Sequence, residues 1–395
     1  MTDFTFKTVP DIVVEDGAAQ RLAALLADRF VSTGCHGAMT GSAPRRVLIV
    51  SDPGIAACGL LAPVADALTA GGFAVTPFTG VGADPDEAQV LAATDAGRRA
   101  GADIVIGFGG GSSMDVAKLT ACLIAGDQPL SAMYGVGNAV GPRLPLVQVP
   151  TTAGTGSEVT PIAIVTTGKT TKMGVVAPVL YADLAVIDAA LTLGLPRAQT
   201  AATGIDAMVH AIEAYTSARL KNPVSDALAV RALGLLAGAI GTACDKGGDL
   251  SARRDMLLGA MMAGQAFANA PVAAVHALAY PLGGHFHVCH GLSNSLVLPH
   301  VLRFNMPAAR SSYGELAVAA GLSGDSTAAR AGALVDWLAG LPAALGIESR
   351  LRDVGVAQDA VPLLAADAML QTRLLVNNPR EVSEADARAI YEAAW

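Results

Sequence analysis

The chain has 395 residues, of which 52% are hydrophobic and only 15% charged, so it can bury more than one core and is not a disordered protein. Lys and Arg number 26 against 34 Asp and Glu, a net charge of −8. No basic stretch offers a footprint for nucleic acid.

The opening MTDFTFKTVPDIV has neither the basic nor the apolar region of a secretion signal. Five cysteines, odd in number and scattered, show no disulfide or zinc spacing, and the expectation is a cytoplasmic protein. Residues 34–43 read as a surface loop, small and polar between two elements. Arg46–Val50 is a short β-branched run ending at the turn Ser51-Asp52-Pro53-Gly54. Leu61–Ala70 reads as a helix, Phe73–Thr76 as a strand and Asp86–Ala100 as a helix. Asp103–Phe108 is a buried-strand pattern that runs into Gly109-Gly110-Gly111-Ser112-Ser113 and a helix from Met114. Pro145–Val149 is a further strand. This alternation predicts an α/β domain over residues 1–195 with a mostly parallel, Rossmann-like sheet.

Beyond residue 195 the strands stop. Helices are expected over 201–217, 225–244, 252–268, 274–284, 293–305, 328–341 and 383–393, an all-α domain over residues 196–395. Neither apolar stretch there predicts a membrane span. Ala232–Cys244 falls short of the ~20 residues a bilayer needs, and Leu257–Gly284 is broken by Gln265, Asn269, Pro271, His276 and Pro281.

The glycine turn at Gly109–Ser113 ends a strand and opens a helix. Backbone N–H groups there can approach a pyrophosphate at the positive end of the helix, or the glycines simply make a tight turn with a serine cap. Asp52 ends a buried strand, where a carboxylate can accept a ribose diol and repel a 2′-phosphate; it can equally initiate the turn before Pro53-Gly54. Thr151-Thr152-Ala153-Gly154-Thr155 follows another strand and can line a polar ligand, or be an ordinary loop.

Asp206 and His210 are four apart and share one face of a small, apolar helix. Five of the seven histidines (210, 276, 285, 287, 290) fall in this helix and in the segment 274–291. Asp206, His210, His276 and His290 form a mixed oxygen and nitrogen set suited to Fe²⁺ or Zn²⁺; a histidine taken singly reads more readily as a hydrogen-bonded structural residue, and the Asp206/His210 pair equally as an i,i+4 contact on a solvated face. His285 and His287 are candidates for substrate contact. His300 and His36 are read as structural or uninvolved.

Together GGGSSMDVAK, PTTAGTGSEVT, GIDAMVHAIEAY and HALAYPLGG followed by CHGLSNSLVLPHVLRFN resemble the iron-containing (group III) alcohol dehydrogenases, whose fold is shared by glycerol dehydrogenase and dehydroquinate synthase. The resemblance implies an N-terminal domain for NAD(P) and a helical domain for a divalent metal. It places the metal ligands at Asp206, His210, His276 and His290. It places pyrophosphate binding at Gly110, Gly111, Ser112, Ser113 and Asp115, with Gly109 before them. The hydroxyl cluster falls on Thr151, Thr152 and Thr155, a lysine near the ribose on Lys172, and the ribose-selecting acid on Asp52, which implies NAD.

Two positions depart from the family pattern. Tyr280 stands where many members carry a second histidine assigned to proton relay, leaving Tyr280, His285 and His287 as relay candidates. Asp84 replaces an amide near the cofactor. The implied activity is reversible oxidation of a small primary or secondary alcohol. The alternatives are a reductase of an acidic oxo-substrate on the same fold, of maleylacetate-reductase or hydroxyacid–oxoacid type, and a binding protein that keeps only a nucleotide pocket. Small alcohols and aldehydes, rather than nucleic acid or membrane, are the expected partners, and the Ala-rich helical surface suggests a homodimer or larger homo-oligomer.

Overall fold

The computed structural model describes residues 3–32, 45–168 and 171–395; the expected loop at 34–43, with Cys35 and His36, lies outside the described residues. The described chain divides into two compact units. One is Thr8–Thr152 with Ser157–Gly194. The other is Leu195–Trp395, joined by Ala153–Gly156 and by the N-terminal stretch that ends at Lys7. The sequence reading assigned everything before residue 196 to the first domain, so the N-terminal stretch to Lys7, the 153–156 stretch and Leu195 depart from it.

Among its described residues the first unit holds nine strands: β1 (Asp11–Val14), β2 (Arg46–Val50), β3 (Ala74–Phe78), β4 (Ile104–Gly109), β5 (Gly135–Val136), β6 (Leu146–Pro150), β7 (Ile162–Thr167), β8 (Thr171–Val176) and β9 (Leu184–Ile187). Six form one sheet in the order β1-β9-β6-β4-β2-β3, parallel throughout. Its helices are α1 (Leu22–Leu26), α2 (Pro53–Ala57), α3 (Leu61–Ala70), α4 (Glu87–Ala100) and α5 (Gly111–Ala125). β4 and β6 are buried at every residue, as strands covered on both faces must be. On one face Val47, Ile49, Ile104, Ile106, Phe108, Val147 and Val149 pack with Leu22, Leu26 and Leu68. β3 runs on to Phe78 through Pro77, which its position at the sheet edge tolerates.

The second sheet, β5-β8-β7, was not anticipated. β7 and β8 pair antiparallel from Ile162↔Val176 to Thr167↔Thr171, and their threonines and Lys172 mask the apolar pattern on which strand recognition depends.

The second unit is helical: α6 (Arg197–Thr216), α7 (Pro223–Asp245), α8 (Leu250–Asn269), α9 (Ala274–Phe286), α10 (His290–Ala319), α11 (Thr327–Leu345), α12 (Val361–Ala368), α13 (Thr372–Leu375) and α14 (Glu384–Ala394). α10 extends well past the expected 293–305, carrying Pro299 and Pro307 within it. By length and composition α7 could cross a membrane, contrary to the shorter stretch read from the sequence, but it packs against α6 and α8 with half of its most apolar window buried. α6 lies among α7, α8 and α10, and every residue from Gly204 to Ala214 is buried. Asp206, His210 and Glu213 sit in that stretch, where a polar group is costly without a partner.

Candidate metal centre

α6 presents Asp206 and His210 one turn apart, 1% and 4% exposed. His276 lies in the first turn of α9, and His290 is the first residue of α10, three residues earlier than the helix read from the sequence. Gly291 makes this approach possible. A Cβ there would stand 2.4 Å from the Ala202 carbonyl oxygen of α6.

The four side chains converge, with one ligand atom from each lying within 4.8 Å of the others. Asp206 Oδ1 is 3.6 Å from His290 Nε2, 3.8 Å from His276 Nε2 and 4.0 Å from His210 Nε2. His210 Nε2 and His276 Nε2 are 3.0 Å apart. Donors bound to one ion at about 2.0–2.2 Å stand roughly 3.0–3.6 Å from each other, so the closest of these spacings already fit a single cation and the widest must contract by about 1 Å.

The electrostatics suit a cation. Burial by itself would raise the Asp206 carboxyl, but His210, His290, His276 and the Asn294 amide outweigh it and hold it below the ordinary carboxylate range. Burial pushes His210 down to about 3, against the pull of Asp206, so this imidazole is neutral at pH 7 and gives up no proton when a cation binds. His276 Nδ1 donates to Glu213 Oε2 at 2.7 Å, which leaves the Nε2 lone pair toward the centre. A carboxylate oxygen and an imidazole lone pair, buried together, are reconciled by a shared cation.

Sequence reasoning missed two residues of this arrangement. Asn294, one turn beyond His290, donates to Asp206 Oδ1 at 2.6 Å and lies 3.3 Å from both His276 Nε2 and His290 Nε2. Its signal was a buried amide entering the apolar run Leu296–Leu298. Glu213, within the GIDAMVHAIEAY segment, was given no role, although it stands three residues past His210.

In the α/β unit, Gly109 at φ 151° ends β4, and a Cβ there would meet Ser113 Oγ at 2.7 Å. Gly110 caps α5 with no side-chain hydrogen bond, so the first-turn N–H groups are open to an anion. Thr151 N donates to the Gly109 carbonyl, and Thr151 Oγ1 is buried with no hydrogen-bond partner. Both features fit a pyrophosphate. Asp52 Oδ1 accepts from Ile55 N at 3.0 Å, capping α2, while Oδ2 lies 3.4 Å from Ser113 Oγ. The turn-initiating and ligand-facing readings of Asp52 are thus compatible.

Asp115 faces the protein: it accepts from Ser157 Oγ at 2.6 Å and Ile164 N at 2.9 Å, beside Lys118 Nζ at 3.4 Å. Lys118, also missed, is fully buried and donates to Ser157 Oγ and the Ile162 carbonyl, each at 2.6 Å. Burial raises Asp115, lowers Lys118 and pushes neighbouring Glu158 up to about 7. Lys172 Nζ pairs with Asp84 Oδ1 at 2.6 Å, and Asp84 itself has φ 52°. Thr155 belongs to the stretch that joins the helical unit.

Residues 10–189 match the family model for iron-containing alcohol dehydrogenase, and residues 200–395 match the C-terminal model of the Fe-containing alcohol dehydrogenase family. The chain is 40% identical over 359 residues to long-chain-alcohol dehydrogenase 1 of Geobacillus thermodenitrificans (strain NG80-2), covering 89% of this chain and 90% of that one. The chain belongs to the iron-containing alcohol dehydrogenases. Among solved structures of similar fold are 1,3-propanediol oxidoreductase (TM-score 0.91, 32% identity, all of both chains) and the sulfoacetaldehyde reductase of Bifidobacterium kashiwanohense in complex with NAD+ (TM-score 0.85, 26% identity, 100% and 99% of the two chains).

Of the three relay candidates in this iron-containing alcohol dehydrogenase, Tyr280 lies one turn beyond His276, its ring 6.0 Å from that of His290. His285 instead pairs with Asp367 at 3.0 Å. His287 takes the left-handed cap position of α9, at φ 56°. His300, pushed down to about 4 by burial, and the exposed Cys289 are outside the four-residue set.

Proposed function

We propose that this oxidoreductase is metal-dependent and NAD(H)-linked, and that it interconverts a small primary or secondary alcohol with its aldehyde or ketone. The convergence of Asp206, His210, His276 and His290 carries the reading. Nitrogen and carboxylate donors without a thiolate suit Fe²⁺ or Zn²⁺. Such an ion, when bound, supplies Lewis acidity toward a substrate oxygen.

The chain's own residues do the rest. One carboxylate and three neutral imidazoles leave a divalent centre with a net charge of +1, which favours an oxygen that gains negative charge. The open first turn of α5 would hold the pyrophosphate, with Thr151 and Thr152 contributing hydroxyls. Asp52 accepts the ribose diol, and its charge disfavours a 2′-phosphate, so NAD is chosen over NADP. Lys172, held by Asp84, would approach the ribose. Tyr280 carries the proton to or from the substrate oxygen. NAD supplies the hydride chemistry, while the protein orients the reacting groups. Similarity to a sulfoacetaldehyde reductase solved with NAD+ supports the cofactor, and it also favours a second reading in which the carbonyl substrate is anionic.

The test is an aldehyde and alcohol panel, neutral and anionic, with NADH or NADPH, on protein reconstituted anaerobically with Fe²⁺ or Zn²⁺. The expected result is NADH-dependent reduction of neutral short aldehydes that a chelator abolishes. Chelator-resistant turnover, or preference for NADPH, overturns the proposal; preference for the anionic aldehydes selects the second reading.

A further inference from the structure

Glu213 is 3% exposed and does not belong to the four converging donors. It nevertheless shares their helix stripe, seven residues past Asp206 and three past His210, so one face of α6 bears all three side chains. Its carboxylate receives three N–H groups from the segment that opens α9. Val275 N donates to Oε1 at 2.7 Å; Ala273 N, at 3.0 Å, and His276 Nδ1, at 2.7 Å, donate to Oε2.

The N-cap residue of α9, Ala273, makes no side-chain capping bond. Glu213 therefore supplies from a neighbouring helix the acceptor that a serine or aspartate cap provides locally, and its charge sits at the positive end of α9. The same oxygen that caps the helix also fixes the His276 ring. With Nδ1 held as a donor, Nε2 is left as the lone-pair nitrogen, aimed at the space shared with Asp206 and His210.

Resting on the metal-centre reading above, we infer that Glu213 is a positioning residue. It sets the tautomer and orientation of His276, and the affinity of the centre for its cation depends on it although it contributes no ligand atom. A neutral amide replaces it only at a cost. Glu213→Gln must turn its NH₂ either toward the Val275 N–H, setting donor against donor, or toward Ala273 N–H and His276 Nδ1. In the second orientation the amide donates to Nδ1, drives the proton to Nε2 and removes the lone pair from the centre.

The experiment measures Zn²⁺ affinity of the metal-free full chain by competition with a chromophoric chelator, for wild type, Glu213→Gln, His276→Ala and the double variant, with circular dichroism reporting the fold. Expected are one ion per wild-type chain and an affinity about 10- to 100-fold weaker for Glu213→Gln. In the His276→Ala background the Glu213 substitution adds no more than about twofold, because its partner is already gone. Should Glu213→Gln fail to fold, Glu213→Asp keeps the charge, shortens the reach to Nδ1 and is read against the same thresholds. Failure of the wild type to bind one ion defeats the metal-centre reading and this inference with it. Wild-type binding combined with near-wild-type affinity in the Glu213 variant, or with an undiminished Glu213 effect in the His276→Ala background, overturns this inference alone.

Discussion

Asn294 Nδ2 donates to Asp206 Oδ1 at 2.6 Å, from one turn beyond His290 on the same helix. The amide, on α10, thus holds the sole carboxylate of the converging set, which stands on α6. Its Oδ1 is buried without a hydrogen-bond partner, so a merely structural role would leave half of the side chain unused. Asn294→Ala is expected to weaken Zn²⁺ binding about 10-fold, measured by chelator competition. Wild-type affinity in the variant would show that Asp206 needs no such support.

Gly291 is where α10 meets the backbone of α6. Gly291→Ala places a methyl group 2.4 Å from the Ala202 carbonyl, and backbone meeting backbone leaves no flexible side chain to yield. The first turn of α10 must move, and His290 moves with it. Loss of about 1–3 kcal/mol of stability in urea unfolding is expected, together with a metal affinity reduced by more than the stability loss alone explains. A stable variant with unchanged metal affinity contradicts this.

Acid should unfold the metal-free protein through His210. The ordinary value of 6.5 applies to the unfolded chain and about 3 to the folded one, so between these pH values the unfolded state binds the extra proton. Stability is therefore retained above pH 6.5 and lost as pH falls toward 3, by about 1.4 kcal/mol per pH unit. Asp206, held below its ordinary 3.8, adds a loss in the same direction at the acid end. Melting curves of metal-free wild type and His210→Gln across this window should show the flatter pH dependence in the variant; parallel curves would rule out His210 as the source.

Lys118 ties α5 to Ser157 and to the Ile162 carbonyl from a fully buried position. Lys118→Met removes one partner of a buried pair and leaves Asp115 without its cation. A loss of about 3–5 kcal/mol is expected in chemical unfolding of the protein. A change below about 1 kcal/mol would mean that Asp115 is satisfied by Ser157 and Ile164 alone.

Much of this architecture was legible because apolar periodicity and burial coincide. The runs read at Arg46–Val50 and Asp103–Phe108 become the parallel strands β2 and β4, and the Asp206/His210 spacing places both groups on one buried face. The β7–β8 pair escaped notice because its threonines, half-buried at 166 and 167 and exposed at 171, break the apolar signal. The start of α10 was displaced because nothing in Cys289-His290-Gly291 resembles a capping sequence, yet that start is what sets His290. Glu213 and Asn294 were missed for a common reason. Each acts on a partner far along the chain, Glu213 on His276 and Asn294 on Asp206, and a spacing rule for one helix carries no information about such pairs.

The most direct measurement is crystallography at an absorption edge of the reconstituted metal. The account predicts one anomalous peak per chain, about 2.0–2.2 Å from Asp206 Oδ1 and from the Nε2 atoms of His210, His276 and His290. No peak after reconstitution, or a peak bound by other residues, would contradict it.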